Sequence, residues 1–397
     1  MNVVIIGTGM YVCGRGTDGF GTILPAIYEW KRHELLNKIY ISGAHRSSIE
    51  ELNKKVIELN KLLDLEIHPH YYPENTDHDP RAYKTAIKEV PRPACAIIVV
   101  PDDLHREIAG YAIENNLHTL VVKPLAPTIN EVNELIEIQQ DHNVYCAVEF
   151  HKRLDRSNLM LRDSIKSGRI GDILYFIIEY SQRKSVPIDK FQSWVSKTNV
   201  FQYLGIHYVD IIYFATRAVP LRVIAIGQKN ILVKKGIDTY DAIQVTIEWQ
   251  MPSGKPFTSS IFTNWVDPEQ SSSMSDQKIK VIGTKGRYEA NQKKRGIVIT
   301  DNSGIEEPNP DFCTMYGTGN DHFEFKGYGI DSIKQFLFDV SLVESGDVSV
   351  DELEGKRPTF KDAIVPTVIL DAVNRSLAEN GKWIETKFIN NQFDRYD

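Results

Sequence analysis

Val3-Val4-Ile5-Ile6-Gly7-Thr8-Gly9 decides how the rest of the chain is read. Four consecutive β-branched apolar residues suit a parallel strand covered on both faces. A buried strand that opens directly into glycines is the entry to a dinucleotide site. Gly7 allows the tight turn and Gly9 lets backbone approach a diphosphate. Thr8, Met10 and Tyr11 are the neighbouring candidates for lining it. A helix N-terminus beyond them offers N–H groups and a positive dipole end to the phosphates. The competing reading is an ordinary glycine turn after a strand, so the remaining chain has to support the site.

After Gly9 the pattern loosens. Val12 stands where G-x-G-x-x-G has its third glycine, and residues 10–21 are unusually rich in glycine. A helix is expected over 22–32, with Pro25 tolerated in its first turn. The loop before that helix either lines the cofactor phosphates or covers a neighbouring surface. Residues 38–43 read as the second strand, and no acidic residue ends it to bind ribose hydroxyls. Arg46, followed by Ser47 and Ser48, suits a 2′-phosphate instead, which favours NADP(H) over NAD(H). Alternatively, Arg46 simply precedes a solvated helix over 49–63. His68, His70 and His78 have no carboxylate or cysteine at ligand spacing, so no metal site is expected.

Strands at 94–100, 119–122 and 144–150 alternate with helices at 105–115 and 129–140. That alternation gives a parallel sheet, and ligands bind beyond the carboxyl ends of its strands. Gly9, Pro101 and Lys123 all fall at such ends. From about residue 170 the rhythm changes. Strands at 173–180, 221–226, 242–249, 257–264, 279–282 and 298–300 are separated by turns, which reads as a largely antiparallel sheet. The expected division is a dinucleotide-binding domain over 1–149 and an α+β domain for substrate binding and oligomerisation over 150–397. A helix over 358–380 closes the pattern.

The 397 residues are 25% charged and 42% hydrophobic, with a net charge of −7. These values suit a soluble two-domain protein and argue against a general nucleic-acid binder. Cys13, Cys95, Cys146 and Cys313 are scattered, which indicates neither structural zinc nor a disulfide framework and favours a reducing, cytoplasmic compartment. The opening apolar run is too short for a signal peptide, and no run approaches a membrane span.

Several segments, in order, carry a resemblance. Val100-Pro101-Asp102-Asp103-Leu104-His105 resembles T-P-N-x-x-H, and Val122-Lys123-Pro124 resembles E-K-P with Val122 in place of glutamate. Arg153 matches an arginine that opens a second domain. Gly205-Ile206-His207-Tyr208-Val209-Asp210 resembles G-x-H-x-x-D, and Gly283-Thr284-Lys285-Gly286 matches G-T-x-G. Together they resemble the Gfo/Idh/MocA family of glucose–fructose oxidoreductase and inositol dehydrogenase relatives. The resemblance implies a Rossmann domain followed by an open-sheet domain, often the subunit interface, and hence a homodimer or homotetramer. It also implies hydride transfer between a nicotinamide and a hydroxyl or carbonyl carbon of a sugar, sugar derivative or cyclitol.

By that resemblance Lys123 supplies charge at the reacting oxygen and His207 is the general base or acid. Pro101, His105, Lys123 and Pro124 join the cofactor set, and Arg153, Trp194, Lys123 and His207 form the substrate set. Many relatives carry an aspartate four positions before the histidine. Here Tyr203 stands there, a neighbour of His207 if the helix is regular. Other readings stay open. His207 lies in an apolar run and could be a core histidine, and Asp210 reads as structural. Trp194, Asn264 and Trp265 could line a sugar site or anchor the core. Residues 316–322 read as a lid or subunit contact. Val122 and Tyr203 also admit a ligand sensor that kept the fold and lost catalysis.

Overall fold

The run that opens the chain is strand β1 (Asn2–Ile6), and none of its residues is more than 4% exposed. The computed structural model describes residues 1–33, 36–191, 194–302, 304–319, 322–389 and 392–396. In the first of its two compact units, β1 is joined by β2 (Ile39–Ser42), β3 (His70–Tyr72), β4 (Ala94–Ile98), β5 (His118–Val122) and β6 (Cys146–Glu149). Every pair is parallel and the order is β3-β2-β1-β4-β5-β6. The winding reverses between β1 and β4, which opens the crevice where such sheets bind ligands.

The strands are linked by α1 (Met10–Cys13), α2 (Ile23–His33), α3 (Arg46–Leu63), α4 (Ala82–Glu89), α5 (His105–Glu114) and α6 (Ile129–His142). In α3, Ile49, Leu52, Val56, Leu59 and Leu63 recur at three and four residues and bury one stripe. The helix starts at Arg46, earlier than the apolar pattern alone places it. Before α5, Asp102–Leu104 forms a 3₁₀ turn.

The second unit holds α7 (Arg156–Lys166), β7 (Ile173–Arg183), α8 (Ile206–Thr216), β8 (Val219–Gln228), α9 (Ile231–Lys234), β9 (Ala242–Gln250), β10 (Pro256–Asp267), β11 (Ser275–Gly283) and β12 (Arg287–Asn291). A small hairpin follows, β13 (Ile299–Asp301) with β14 (Gly304–Glu306). The chain then re-enters the first unit over Asp311–Ala363 as β15 (Thr314–Gly319), β16 (His322–Lys326), α10 (Tyr328–Ser345) and α11 (Val350–Leu353). It finishes in the second unit as α12 (Ile364–Ala378), β17 (Ile384–Ile389) and β18 (Gln392–Tyr396).

The large sheet runs β12-β11-β7-β10-β9-β8-β17-β18 and is antiparallel except for β7 with β10. Residues along β10 alternate between buried and more exposed, so one face is covered. α12 packs on β8 and against α8.

The sequence division at 149 and the compact units differ in three segments: 127–129 group with the second unit, and 150–154 and 311–363 with the first. The returning stretch belongs with the first unit because Ile330, Ile333, Phe336, Leu337 and Val340 of α10, each at most 2% exposed, join the core of β1 and α2. Residues 316–319 and 322 fall in the β15–β16 hairpin; 320 and 321 lie outside the described residues. Among the described residues no helix is long and apolar enough to cross a membrane.

Candidate active site

At the end of β1, Gly7 has φ of 126° and its N–H donates to the Ser42 carbonyl at 2.8 Å. A Cβ at Gly7 would lie 2.0 Å from the Val99 carbonyl oxygen. Glycine is what lets β1 end this close to the chain leaving β4. Gly9 is different: a Cβ there would meet nothing within 4 Å, so its backbone is open to an approaching ligand. α1 is a single turn, closed by Gly14 at φ 72°.

The loop from Gly14 to α2 packs on neighbouring elements and carries one cation back toward the turn after β1. Arg15 reaches back, donating to Ser48 Oγ at 2.7 Å and Thr8 Oγ1 at 3.3 Å. Phe20 packs edge-on to Phe325, with Lys55 Nζ 5.1 Å from its ring centroid. Arg46 is turned elsewhere, donating to the Glu74 carbonyl with its Nε 3.6 Å from Glu50. Arg15 was missed in the sequence; the available signal was a basic residue inside the glycine-rich insert. His70 stacks on Tyr40, and His78 on His45.

Lys123 follows β5 directly and enters a cis bond to Pro124. It is half-buried, and burial lowers its pKa to about 8 against the opposing charges of Asp102 and Glu149. His105 is 1% exposed, with Nδ1 2.8 Å from the Pro124 carbonyl and Nε2 2.9 Å from the Val100 carbonyl. It ties the loops after β4 and β5 together, so its influence on a ligand runs through Pro101, Lys123 and Pro124.

At the end of β6 lies a group the sequence reading did not single out. Glu149 is 2% exposed and accepts from Ser332 Oγ at 2.5 Å, with His151 Nδ1 at 2.8 Å. The His151 ring stacks on Tyr11 and Tyr328, and Tyr11 Oη is 3.4 Å from its Nδ1. Burial first, and Glu149 second, push the Tyr11 hydroxyl well above its usual pKa. Arg153 does not open the second unit. It belongs to the first, buried and ion-paired to Asp362 at 2.6 Å, with its guanidinium over Phe150. That pairing compensates the burial of its charge.

In the second unit, Tyr203 lies in a π-helical turn, Phe201–Gly205, rather than in a regular α-helix. The i, i+4 spacing to His207 therefore does not have α-helical geometry. Gly205 is needed there because a Cβ would sit 2.4 Å from the Phe201 ring. Tyr203 packs among Phe191, Trp194 and Trp265, and burial followed by Tyr180 raises its pKa. His207, 5% exposed in the first turn of α8, has its ring 6.4 Å from that of Tyr180. Trp265 is fully buried and donates to Gln182, and Asn264 donates to Ser181 at 2.6 Å, so both anchor the sheet.

The first unit fits a dinucleotide: an open Gly9 backbone and the cationic Arg15 follow β1, and the Lys123 amine follows β5, two strands across the same sheet. Residues 1–150 match the oxidoreductase family model with an NAD-binding Rossmann fold, and 159–289 match the GFO/IDH/MocA C-terminal domain. The chain is 25% identical over 287 residues to inositol 2-dehydrogenase of Rhizobium meliloti, covering 71% of this chain and 78% of that protein. It is 24% identical over 240 residues to 1,5-anhydro-D-fructose reductase of Ensifer adhaerens, covering 57% and 68%. Scyllo-inositol dehydrogenase from Lactobacillus casei, solved with NAD(H) and scyllo-inositol, shares the fold with a TM-score of 0.69 at 14% identity, over 97% of this chain and 98% of that one. With both of its halves matched, the chain belongs to the Gfo/Idh/MocA family of oxidoreductases.

Proposed function

We propose that this oxidoreductase interconverts a ring hydroxyl and the corresponding carbonyl on a sugar, sugar derivative or cyclitol, with NADP(H) as its preferred cofactor. The observation that carries the reading is Lys123: an amine with a pKa near 8, at the carboxyl edge of a dinucleotide sheet. The cyclitol dehydrogenase and sugar reductase among its relatives support the substrate class. A bound nicotinamide supplies hydride acceptance in one direction and donation in the other. Lys123, as the ammonium, donates to the substrate oxygen and stabilises the negative charge that develops there. His207 takes the hydroxyl proton during oxidation and returns it during reduction. Tyr203 and Trp194 offer aromatic surface to the apolar face of the ring.

The cofactor preference rests on Arg15 and Ser48, with Arg46 and Ser47 directly before Ser48 in sequence and no carboxylate ending β2. Arg15→Ala is expected to weaken NADP(H) by about tenfold or more, the loss of one charge-assisted contact, with NAD(H) nearly unaffected. Arg46→Ala should have the smaller effect. Titrations with both cofactors check this, and equal losses for the two cofactors would reject the 2′-phosphate role. The activity itself is tested by following nicotinamide absorbance across a panel of cyclitols, sugars and sugar acids. Cofactor binding with no turnover on any of them would point to a sensor instead.

A further inference from the structure

Two histidines meet at the carboxyl edge of the first sheet. His45 stands just before the first turn of α3, after β2, and His78 lies in the loop after β3. Their rings stack with 4.4 Å between centroids and 25° between planes, and both residues are exposed. The loop is anchored without them: the Arg46 N–H donates to the Asp77 carbonyl and the Asp79 N–H to the Ala44 carbonyl, each at 2.9 Å. Stacking uses the ring faces and leaves the nitrogens at the open edges. No side chain among the described residues hydrogen-bonds or ion-pairs with either imidazole. The pair adjoins the turn that holds Arg15. The His45 carbonyl accepts from the Ser48 N–H at 3.1 Å, and Ser48 Oγ accepts from Arg15. A Cβ on Gly43 would lie 2.8 Å from Thr8 Cγ2, so the chain leaving β2 abuts the chain leaving β1 here.

We infer that His45 and His78 are specificity residues for the 2′-phosphate of the cofactor, so that NADP(H) binds with uptake of a proton and its advantage over NAD(H) widens as pH falls. The inference rests on the NADP(H) reading proposed above. Two stacked imidazoles oppose each other's protonation, because both would carry the same charge. A phosphate dianion beside them removes that opposition and gains a charge-assisted donor. The complex then holds more protons than the free protein, and affinity rises as pH falls. The charged groups on the packed segments do not supply this dependence. Arg46 turns to the Glu74 carbonyl and to Glu50, and Asp79 accepts the Arg81 N–H. Glu74, Asp77 and Asp79 add negative charge in the loop, and Arg15 adds a fixed positive one. The phosphate's own second ionisation, near about pH 6, acts in the opposite sense, since acid removes the dianion. The sign of the pH dependence therefore separates the imidazoles from the ligand.

The test is calorimetric titration of the whole protein with NADPH and with NADH across about pH 5.5–8.5, the range in which histidine changes charge. The ratio of the two dissociation constants cancels pH effects common to both cofactors. The advantage of NADPH should shrink by about threefold or more between about pH 6 and 8. In the double variant His45→Gln, His78→Gln that trend should vanish or reverse. Arg15→Ala should weaken NADPH at every pH and keep the trend. Both histidines are exposed, so the variants are expected to fold, and circular dichroism checks this. A flat ratio in the unmodified protein, or an unchanged trend in the double variant, overturns the inference and leaves an NADP(H) preference standing. NADPH weaker than NADH at every pH, with a trend that disappears with the histidines, fails the cofactor preference and keeps the imidazole role. No binding of NADPH overturns both.

Discussion

Lys123 is caught between burial, which favours the neutral amine, and two carboxylates, which favour the ammonium. A free lysine titrates near 10.4, so between about 8 and 10.4 the unfolded chain holds a proton that the folded one has lost. The unfolded state thus binds more protons in that window, and this site adds stability as pH rises through it. Below about pH 8 the cost of burying the charge is fully present. Lys123→Met should therefore leave the melting temperature at neutral pH unchanged or higher, while turnover falls by about 10²–10³-fold. Calorimetry and steady-state rates on the same preparation check both halves. In the unmodified protein, reduction should slow as pH rises through about 8, because the amine then stops donating.

Two glycines in the turn after β1 are expected to fail in different ways. Gly7→Ala puts a methyl group into the Val99 carbonyl and should destabilise the unit, seen as a lower melting temperature. Gly9→Ala meets no protein atom, so it should keep the melting temperature and lose dinucleotide affinity, measured by calorimetric titration. The elements that present this turn were legible because their patterns are local. Parallel strands show as unbroken apolar runs, and the second sheet shows as alternation punctuated by turns. α10 was not legible. It begins without a side-chain cap, and the exposed Phe338 blurs the stripe formed by Ile330, Ile333 and Leu337. Glu149 was hidden for a related reason, since its partner Ser332 comes from that distant helix. Tyr203 was placed by assuming α-helical spacing across a stretch that winds as a π turn.

On the large sheet, Tyr175 and Ile177 of β7 and Phe262 of β10 are each more than a third exposed. They alternate with the buried Phe176, Ile178 and Ile261, so they share the outward face. An apolar face of this kind fits the homo-oligomer that the family resemblance implies. Ile177→Lys should shift the protein toward the monomer in light scattering coupled to size exclusion, and no change in mass would exclude this face. The first unit carries a different dependence. A fragment ending at residue 154 lacks α10, and it is expected to show weak near-ultraviolet dichroism compared with the whole chain. Joining residues 311–363 to it by a short linker should restore that signal.

That return of the chain fixes a timetable for biosynthesis. The opening sheet leaves the ribosome early, yet the helix that seals it is translated about two hundred codons later. At roughly 5–20 residues per second, the nascent N-terminal layer waits on the order of 10–40 s with one flank bare. During that interval it is a client for whatever shields sticky surfaces on growing polypeptides, and codon-dependent pausing between the two segments would lengthen the exposure.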